Sequence, residues 1–327
     1  NVGCPMIRFG SLVPQGWRHE FAGWQKPGKE FDAIRRVSLE CERLGYDSIW
    51  LYDHFITYPE ATSDPCFESW TTLSALASIT KKLGLGTIVT CNSYRYPSVL
   101  AKISATLDAI SNGRLIFGIG AGWYDVEYNA YGIPFPEASV RIAQLEEAIQ
   151  VIRKMWMDEQ PTFHGKYFTI EKAINSPKPI QKPHPPILVG GRGRKLTLRI
   201  TAKFADCCNF GGGATLKEYE ELVSLLKKHC DAVGRNPGEI EKTHILDYAI
   251  IGGNKEEVRR KIKRFKPKDM SIREFTKRNL VGTPDQITSQ IHRFVDIGFT
   301  YFMLRFPDMI ELKPLRMFAE QVFPAFR

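Results

Sequence analysis

Apolar runs of strand length alternate with amphipathic helical patterns along this chain, and that alternation restricts the fold more than any other feature. Eight strand–helix units follow one another within 327 residues. Strands joined through helices lie parallel in one sheet, because each helix returns the chain to the same end of the sheet. The pattern therefore predicts an α/β protein. Eight units fit a closed (β/α)8 TIM barrel with insertions, and a doubly wound open sheet is the alternative.

Short apolar runs bounded by turn residues predict the strands, and apolar side chains that recur every three or four positions predict the helices. The predicted strands occupy residues 6–13, 48–52, 83–90, 114–118, 187–189, 206–210, 245–251 and 301–305. The predicted helices occupy residues 30–44, 67–80, 97–110, 140–157, 195–200, 215–233, 283–297 and 311–323. We interpret residues 1–327 as one domain with a hairpin and proline-rich insertion at about 158–186 and a basic insertion at about 253–280.

The composition excludes several classes of protein. No apolar run approaches the roughly 18 residues that a membrane-spanning helix needs, and the first residues lack the pattern of a signal peptide. Seven cysteines are scattered without the spacing of a disulfide framework. We therefore expect a cytoplasmic protein with reduced thiols and no membrane contact.

The positive charge of the chain is concentrated in one segment. The net charge is +9, and residues 251–280 contain eleven lysines and arginines against four acidic residues. One interpretation is a solvated helix face. The other is a surface that attracts an anionic ligand or a nucleic acid.

Two glycine-rich turns follow predicted strands and precede helical patterns. Glycines allow backbone amides to approach a ligand, and a helix N-terminus presents free N–H groups to an anion. The turns therefore predict a phosphate-bearing cofactor, although glycines also end strands for purely structural reasons. The candidate cofactor-binding residues in these turns are Gly120, Ala121, Gly122, Trp123, Gly190, Gly191 and Arg192.

In a barrel of this kind the active site lies at the carboxyl ends of the strands. That rule selects Pro14, Asp53, His54, Thr90, Cys91, Gly120, Ala121, Gly122, Gly190, Gly191, Asn209 and Arg305. A histidine there can hydrogen-bond a cofactor ring or exchange a proton near neutral pH. His54 could equally be a loop histidine packed between Tyr52 and Phe55. No other histidine lies at metal-ligand spacing from it, so we predict no metal site.

Several segments, in their order and spacing, resemble one known family over nearly the whole chain. They are residues 48–54, 85–90, 96–102, 106–108, 111–114, 118–123, 131–135, 177–181, 185–187, 190–191 and 281–285. The chain is similar to the luciferase-like monooxygenase superfamily, and within it to the deazaflavin (coenzyme F420)-dependent oxidoreductases. The resemblance implies a bacterial-luciferase-like (β/α)8 barrel with the cofactor ring across the strand ends.

The resemblance also implies roles for individual residues. His54 would contact the ring or the substrate, and we include Asp53 with it as a candidate catalytic residue. The third strand would carry a bulge with a non-proline cis peptide at Ile88–Val89, which places Ile88, Val89, Thr90 and Cys91 beside the cofactor. The two glycine turns would hold the ribityl-phosphate arm. The chain departs from the family pattern in the extra charge of the second turn.

We predict hydride transfer between coenzyme F420 and a small organic substrate. One alternative is an FMN-dependent monooxygenase of the same superfamily, because the two cofactors share a phosphate arm. A second is a non-catalytic basic barrel that binds nucleic acid, but the sequence contains no recognised nucleic-acid module, so we expect no such partner. The resemblance implies a homodimer, for which we predict contacts through Trp70, Leu73, Leu76 and Ile103. Substrate choice is expected to depend on loops 15–29, 55–67 and 265–280.

Overall fold

Eight parallel strands close into a barrel in the computed structural model, which describes residues 6–24 and 28–327. The strands are β1 (Arg8–Leu12), β2 (Ser48–Leu51), β3 (Gly84–Thr87), β4 (Thr90–Cys91), β5 (Leu115–Gly120), β6 (Phe163–His164), β7 (Thr169–Ile170), β8 (Ile187–Gly190), β9 (Cys207–Asn209), β10 (Glu241–Leu246), β11 (Ala249–Ile251), β12 (Leu280–Gly282) and β13 (Phe299–Leu304). The barrel strands, in their order around the barrel, are β3, β2, β1, β13, β10, β9, β8 and β5. Pairing of β3 with β5 closes the sheet, so the barrel prediction is confirmed and the open sheet is wrong.

Helices connect most of the barrel strands and surround them. They are α1 (Glu30–Leu44), α2 (Ser69–Ile79), α3 (Pro97–Ile110), α4 (Asp125–Ala130), α5 (Ala138–Met157), α6 (Thr197–Phe204), α7 (Leu216–Ala232), α8 (Lys255–Phe265), α9 (Ile272–Arg278), α10 (Pro284–Asp296) and α11 (Lys313–Gln321). Local sequence accounts for several of their ends. Gly45 ends α1 in the left-handed conformation, and Thr215 and Glu218 form a capping box at the start of α7.

The predicted strand at 245–251 is wrong in its position. The barrel strand β10 ends at Leu246, and the apolar residues 249–251 form β11, which pairs with β12 in a separate two-stranded sheet. The apolar run was misleading because β11 belongs to a small second core, where Ile250 packs with Phe275 and Val281. Strands β11 and β12 with helices α8 and α9 thus form a compact unit beside the barrel, which contains the basic segment.

A tryptophan fills part of the barrel interior beneath the strand ends. Trp50 of β2 is fully buried, and its indole N–H donates to Ser48 Oγ over 2.6 Å. A Cβ at Gly86 would lie 2.3 Å from the Trp50 ring, and one at Gly10 would lie 2.5 Å from its nitrogen. The flanking strands β1 and β3 therefore need glycine beside this residue, because any side chain would occupy the space of the indole.

The predicted dimer contacts through three residues of α2 are wrong. Trp70, Leu73 and Leu76 are all buried within the chain itself. Trp70 packs on Phe117 of β5 with ring centroids 6.0 Å apart, so this face of α2 covers the barrel. Ile103 of α3 is half-buried and packs against the same core.

Two further findings apply to the part of the chain that the structure describes. It contains no helix whose length and apolar character would allow it to cross a bilayer. Its six cysteines are free, while Cys4 lies outside the described residues.

Candidate active site

A cavity of about 740 Å³ opens at the carboxyl ends of the barrel strands. All predicted catalytic and cofactor-binding residues line it: Asp53, His54, Ile88, Val89, Thr90, Cys91, Gly120, Ala121, Gly122, Trp123, Gly190, Gly191 and Arg192. Asn209 lines it as well, but Pro14 and Arg305, which the strand-end rule also selected, do not, and Arg305 is instead buried in an ion pair with Glu20. The strand-end rule therefore brought together residues that lie far apart in the sequence. Their roles toward a ligand remain predictions.

A buried carboxylate orients His54. Nδ1 of His54 lies 2.7 Å from Glu127 Oε2, and both side chains are buried. Because a carboxylate accepts, the Nδ1–H donates to it, and Nε2 is left without its proton in the neutral ring. Nε2 has no hydrogen-bond partner in residues 6–24 and 28–327. The imidazole thus presents a proton acceptor to the cavity.

Glu127 is held by more than the histidine. Its carboxylate accepts from the backbone N–H of Phe55 over 2.6 Å and of Ile56 over 3.1 Å, and from the Tyr94 hydroxyl over 2.5 Å. Burial acts to raise the pKa of Glu127, but the hydrogen bonds and charge of its partners, His54 first among them, hold that pKa below its ordinary value. The residue is therefore an ionised carboxylate that can stabilise a protonated His54.

Aromatic rings surround the imidazole. Trp17 stacks on His54 with centroids 4.2 Å apart and planes 3° apart. Trp123 and Tyr124 meet it edge-on, each with centroids 5.9 Å away. Trp123 remains about half exposed at the cavity rim. These rings form an apolar wall that suits a flat heterocycle.

Asp53 is fully engaged within the protein. Its carboxylate pairs with both terminal nitrogens of Arg95, at 2.7 and 2.9 Å, and accepts from Ser69 Oγ over 2.8 Å and from the Cys91 N–H over 2.9 Å. The side chain has no exposed surface. Such a carboxylate fixes the loop after β4 and the orientation of Arg95.

The side chain of Val89 explains why two of the predicted site residues are glycines. The Ile88–Val89 peptide bond is cis, as the resemblance implied. A Cβ at Gly120 or at Gly190 would lie 2.8 Å from a Val89 methyl group. The two glycines therefore make room for the Val89 side chain, which lies between the turns and lines the cavity. Cys91 beside them is a neutral thiol, because burial raises its pKa to about 12.

The features suited to an anion lie farther along the second turn and across from it. Gly191 has a φ of 135°, and a Cβ at Gly193 would lie 2.5 Å from Thr197 Oγ1 at the start of α6. Arg192 extends its guanidinium to the Gly212 carbonyl over 2.5 Å. On the other side, Arg141 is buried, lines the cavity and has no partner for Nε among the described residues. An anionic group would satisfy these donors.

Sequence reasoning missed several residues of the site. Glu127 lies in α4, which has only six residues and therefore shows no helical periodicity. Trp17 and Arg18 lie on the loop after β1, where no pattern indicates which side chains turn inward. The Tyr52 hydroxyl donates to Asp247 Oδ1 over 2.8 Å, a pair whose members are far apart in sequence. A signal for Glu127 was its position shortly after the glycine turn at a strand end.

Comparisons with known proteins agree with this geometry. The chain matches the sequence profile of the family described as luciferase-like monooxygenase over residues 8–277. It is 29% identical over 326 residues to the F420-dependent glucose-6-phosphate dehydrogenase of Kineococcus radiotolerans, covering 92% of this chain and 94% of that one. It is 28% identical over 334 residues to the protein of the same name from Intrasporangium calvum, covering 93% and 98%.

The fold is also found among solved structures. An F420-dependent secondary alcohol dehydrogenase in complex with an F420–acetone adduct superposes with a TM-score of 0.83 at 21% identity, covering 98% of this chain and 99% of that one. At this identity the likeness concerns the fold alone.

Proposed function

We propose, from the premise that the chain belongs to the luciferase-like monooxygenase family, that it is an oxidoreductase transferring a hydride between coenzyme F420 and a small organic substrate. The observation that carries the proposal is the position of His54 and Glu127 at the cavity of a chain whose F420-dependent relatives align over 92–93% of its length. Those relatives act on glucose 6-phosphate according to their names. We therefore take an alcohol or its carbonyl counterpart as the substrate class.

The residues around the cavity fit such a cofactor. The aromatic wall and the Ile88–Val89 segment suit a flat ring, and Gly191, Arg192 and Arg141 suit a phosphate arm. The unpartnered Nε of buried Arg141 supports this assignment, because a buried donor without an acceptor destabilises a protein unless a ligand satisfies it. Coenzyme F420, when bound, supplies a two-electron carrier for hydride, and the protein supplies orientation and a dry cavity.

His54 moves the proton of the reaction in this proposal. Oxidation of an alcohol to a carbonyl releases the hydroxyl proton, and Nε2 of His54 is available to accept it. Glu127 stabilises the imidazolium that results, because its charge lies 2.7 Å from Nδ1. In the reverse direction the same imidazolium returns the proton to the carbonyl oxygen. Trp17 covers the face of the ring and excludes water from it.

Asp53 is a positioning residue in this proposal. It holds Arg95 and the Cys91 amide, and thereby the segment after β3 against which the cofactor ring would lie. Its replacement by Asn should weaken cofactor binding more than it changes the proton-transfer step.

A cofactor titration tests the proposed function directly. Purified protein is titrated with coenzyme F420 and, separately, with FMN, and binding is followed by absorbance and fluorescence. We expect saturable binding of F420 and much weaker binding of FMN, since the curated relatives named above are F420-dependent. Preferential binding of FMN would favour the monooxygenase alternative, and binding of neither would refute the proposal.

We also propose that the protein is a cytoplasmic homodimer. Its free cysteines are suited to a reducing compartment. On α3, Val99 and Ile110 remain about half exposed and offer apolar surface to a second copy. Sedimentation of the wild type beside a Val99→Glu variant tests the contact, and a monomer in both would contradict it.

A further inference from the structure

The cavity contains one cation that neither the cofactor nor the proton transfer requires. Arg18 lies on the loop after β1, and its side chain lines the cavity beside Trp17 and Tyr58. Its guanidinium carbon is 5.1 Å from the Trp17 ring centroid and 5.3 Å from that of Tyr58. The Tyr248 ring centroid is 5.6 Å from the same carbon. Three rings thus flank the cation and restrict its orientation.

The donors of this guanidinium are not used by the protein. Within residues 6–24 and 28–327, no hydrogen bond and no ion pair involves the Arg18 side chain. The charge of the Asp247 carboxylate raises the pKa of Arg18 against the effect of burial, but among the described residues no hydrogen bond joins the two side chains, and Asp247 accepts from the Tyr52 hydroxyl over 2.8 Å. An arginine remains charged at any physiological pH and has five N–H donors in a planar fork. A half-buried guanidinium whose N–H groups are unused and line a cavity is suited to binding an oxygen atom of a ligand.

A buried ion pair fixes the loop that carries Arg18. Glu20 Oε2 accepts from the backbone N–H groups of Gly16 and Arg18, each over 3.0 Å. Its other oxygen pairs with Arg305 Nε over 3.3 Å, and both side chains are almost fully buried. Arg305 in turn donates to the Asp247 carbonyl over 3.1 Å. The backbone at Arg18 is therefore pre-organised by groups outside the cavity.

The position of Arg18 points to the substrate rather than to the cofactor. The donors suited to a phosphate arm are those of Gly191, Arg192 and Arg141. Arg18 is therefore not needed to bind the cofactor phosphate. Trp17 contacts both the Arg18 guanidinium and the His54 imidazole, on which proton transfer depends. A substrate whose hydroxyl reaches His54 can therefore extend toward Arg18.

We propose that Arg18 is a specificity residue that binds an oxyanion of the substrate, so that the enzyme selects alcohols or carbonyl compounds carrying a carboxylate or a phosphate. The proposal rests on the proposed function, since it assumes a substrate beside His54. The planar fork binds either oxyanion through two parallel hydrogen bonds, and the surrounding rings favour arginine over lysine.

The test measures anion binding to enzyme saturated with coenzyme F420, so that the cofactor phosphate occupies its own site. Acetate and inorganic phosphate are titrated separately by calorimetry into wild type, Arg18→Gln, Arg18→Lys and Arg260→Gln, with chloride constant. Arg260 is exposed on α8 and controls for the loss of one positive charge. The affinity for F420 itself is measured first for every variant, which separates failure of the proposed function from failure of this inference.

We expect wild type to bind one of the two anions at a single site, and the preferred anion identifies carboxylate or phosphate as the substrate group. Arg18→Gln should weaken that binding at least tenfold, Arg18→Lys should weaken it less, and Arg260→Gln should stay within twofold. F420 affinity should be the same in all four proteins. No anion binding in wild type, equal binding in Arg18→Gln, or a loss of F420 affinity in Arg18→Gln would each overturn the inference.

Discussion

His244 provides a test of the barrel packing that is independent of any ligand. It lies in β10 with 2% of its surface exposed, and neither ring nitrogen has a hydrogen-bond partner among the described residues. The rings of Phe294, Tyr219 and Phe299 lie 4.5, 4.6 and 5.4 Å from it. Burial, with a smaller contribution from the charge of Arg192, lowers the pKa of His244 to about 3.

This pKa makes stability depend on pH in a defined direction. In the unfolded chain a histidine takes up a proton near pH 6.5, whereas folded His244 stays neutral down to about pH 3. Between these values the unfolded state binds the additional proton, so the folded state loses stability as the pH falls. The loss is about 1.4 kcal/mol per pH unit, or about 2 kcal/mol at pH 5.

The perturbation is His244→Leu, which keeps the approximate volume and removes both unpaired nitrogens. At pH 7.5 we expect the variant to be more stable by about 1–3 kcal/mol, because a buried polar group without a partner is lost. At pH 5.0 this advantage should grow by about 2 kcal/mol, since the variant has no histidine to titrate there. Urea unfolding at both pH values measures the difference between the variant and the wild type.

The exposed His164 supplies the control, because His164→Gln should leave the difference between the two pH values nearly unchanged. Titration of all other groups cancels when the variant and the wild type are compared at one pH. An advantage of His244→Leu that is the same at pH 5.0 and 7.5 would show that His244 is hydrated or hydrogen-bonded in the folded protein. The packing described for β10 would then be incorrect.

Three further substitutions test the site and the barrel around it. His54→Ala should lower kcat by about 10²–10⁴-fold with an unchanged circular dichroism spectrum, because it removes the proposed general base; an unchanged rate of F420 reduction would refute that role. Arg95→Met leaves the Asp53 carboxylate buried without its cation, and urea unfolding should show a loss of about 3–5 kcal/mol. Gly118→Ala places a methyl group 2.0 Å from a backbone carbonyl oxygen, and we expect a loss of about 1–3 kcal/mol or more by the same measurement.

The sequence predicted the barrel because the pattern that specifies it is local and recurs in every strand–helix unit. Apolar strands and amphipathic helices alternate, and helices α1 and α3 begin and end at the predicted residues. The prediction of a strand at 245–251 was wrong because the barrel strand β10 begins with polar residues and so lacks an apolar pattern, whereas the apolar β11 belongs to another core. Burial of Leu73 and Leu76 could not be distinguished from dimer contact, since both favour an apolar helix face.

The site was predictable as a location but not as a set of interactions. One rule about strand ends brought Asp53 and His54 to the cavity together with both glycine turns. The partner of His54 was not predictable, because Glu127 is 73 positions away and lies in a helix too short to show a pattern. The ion pair between Asp53 and Arg95 likewise depends on the path of the loop after β4, which no sequence periodicity indicates.

The position of the Val89 side chain between Gly120 and Gly190 has a consequence for protein engineering. The side chain of Val89 occupies the space beside both glycines, so enlarging either glycine requires a smaller residue at 89, and shrinking residue 89 leaves a void in the cavity wall. Mutant libraries that vary these positions singly should therefore yield mostly defective proteins, whereas libraries that vary them jointly can reach reshaped cavities.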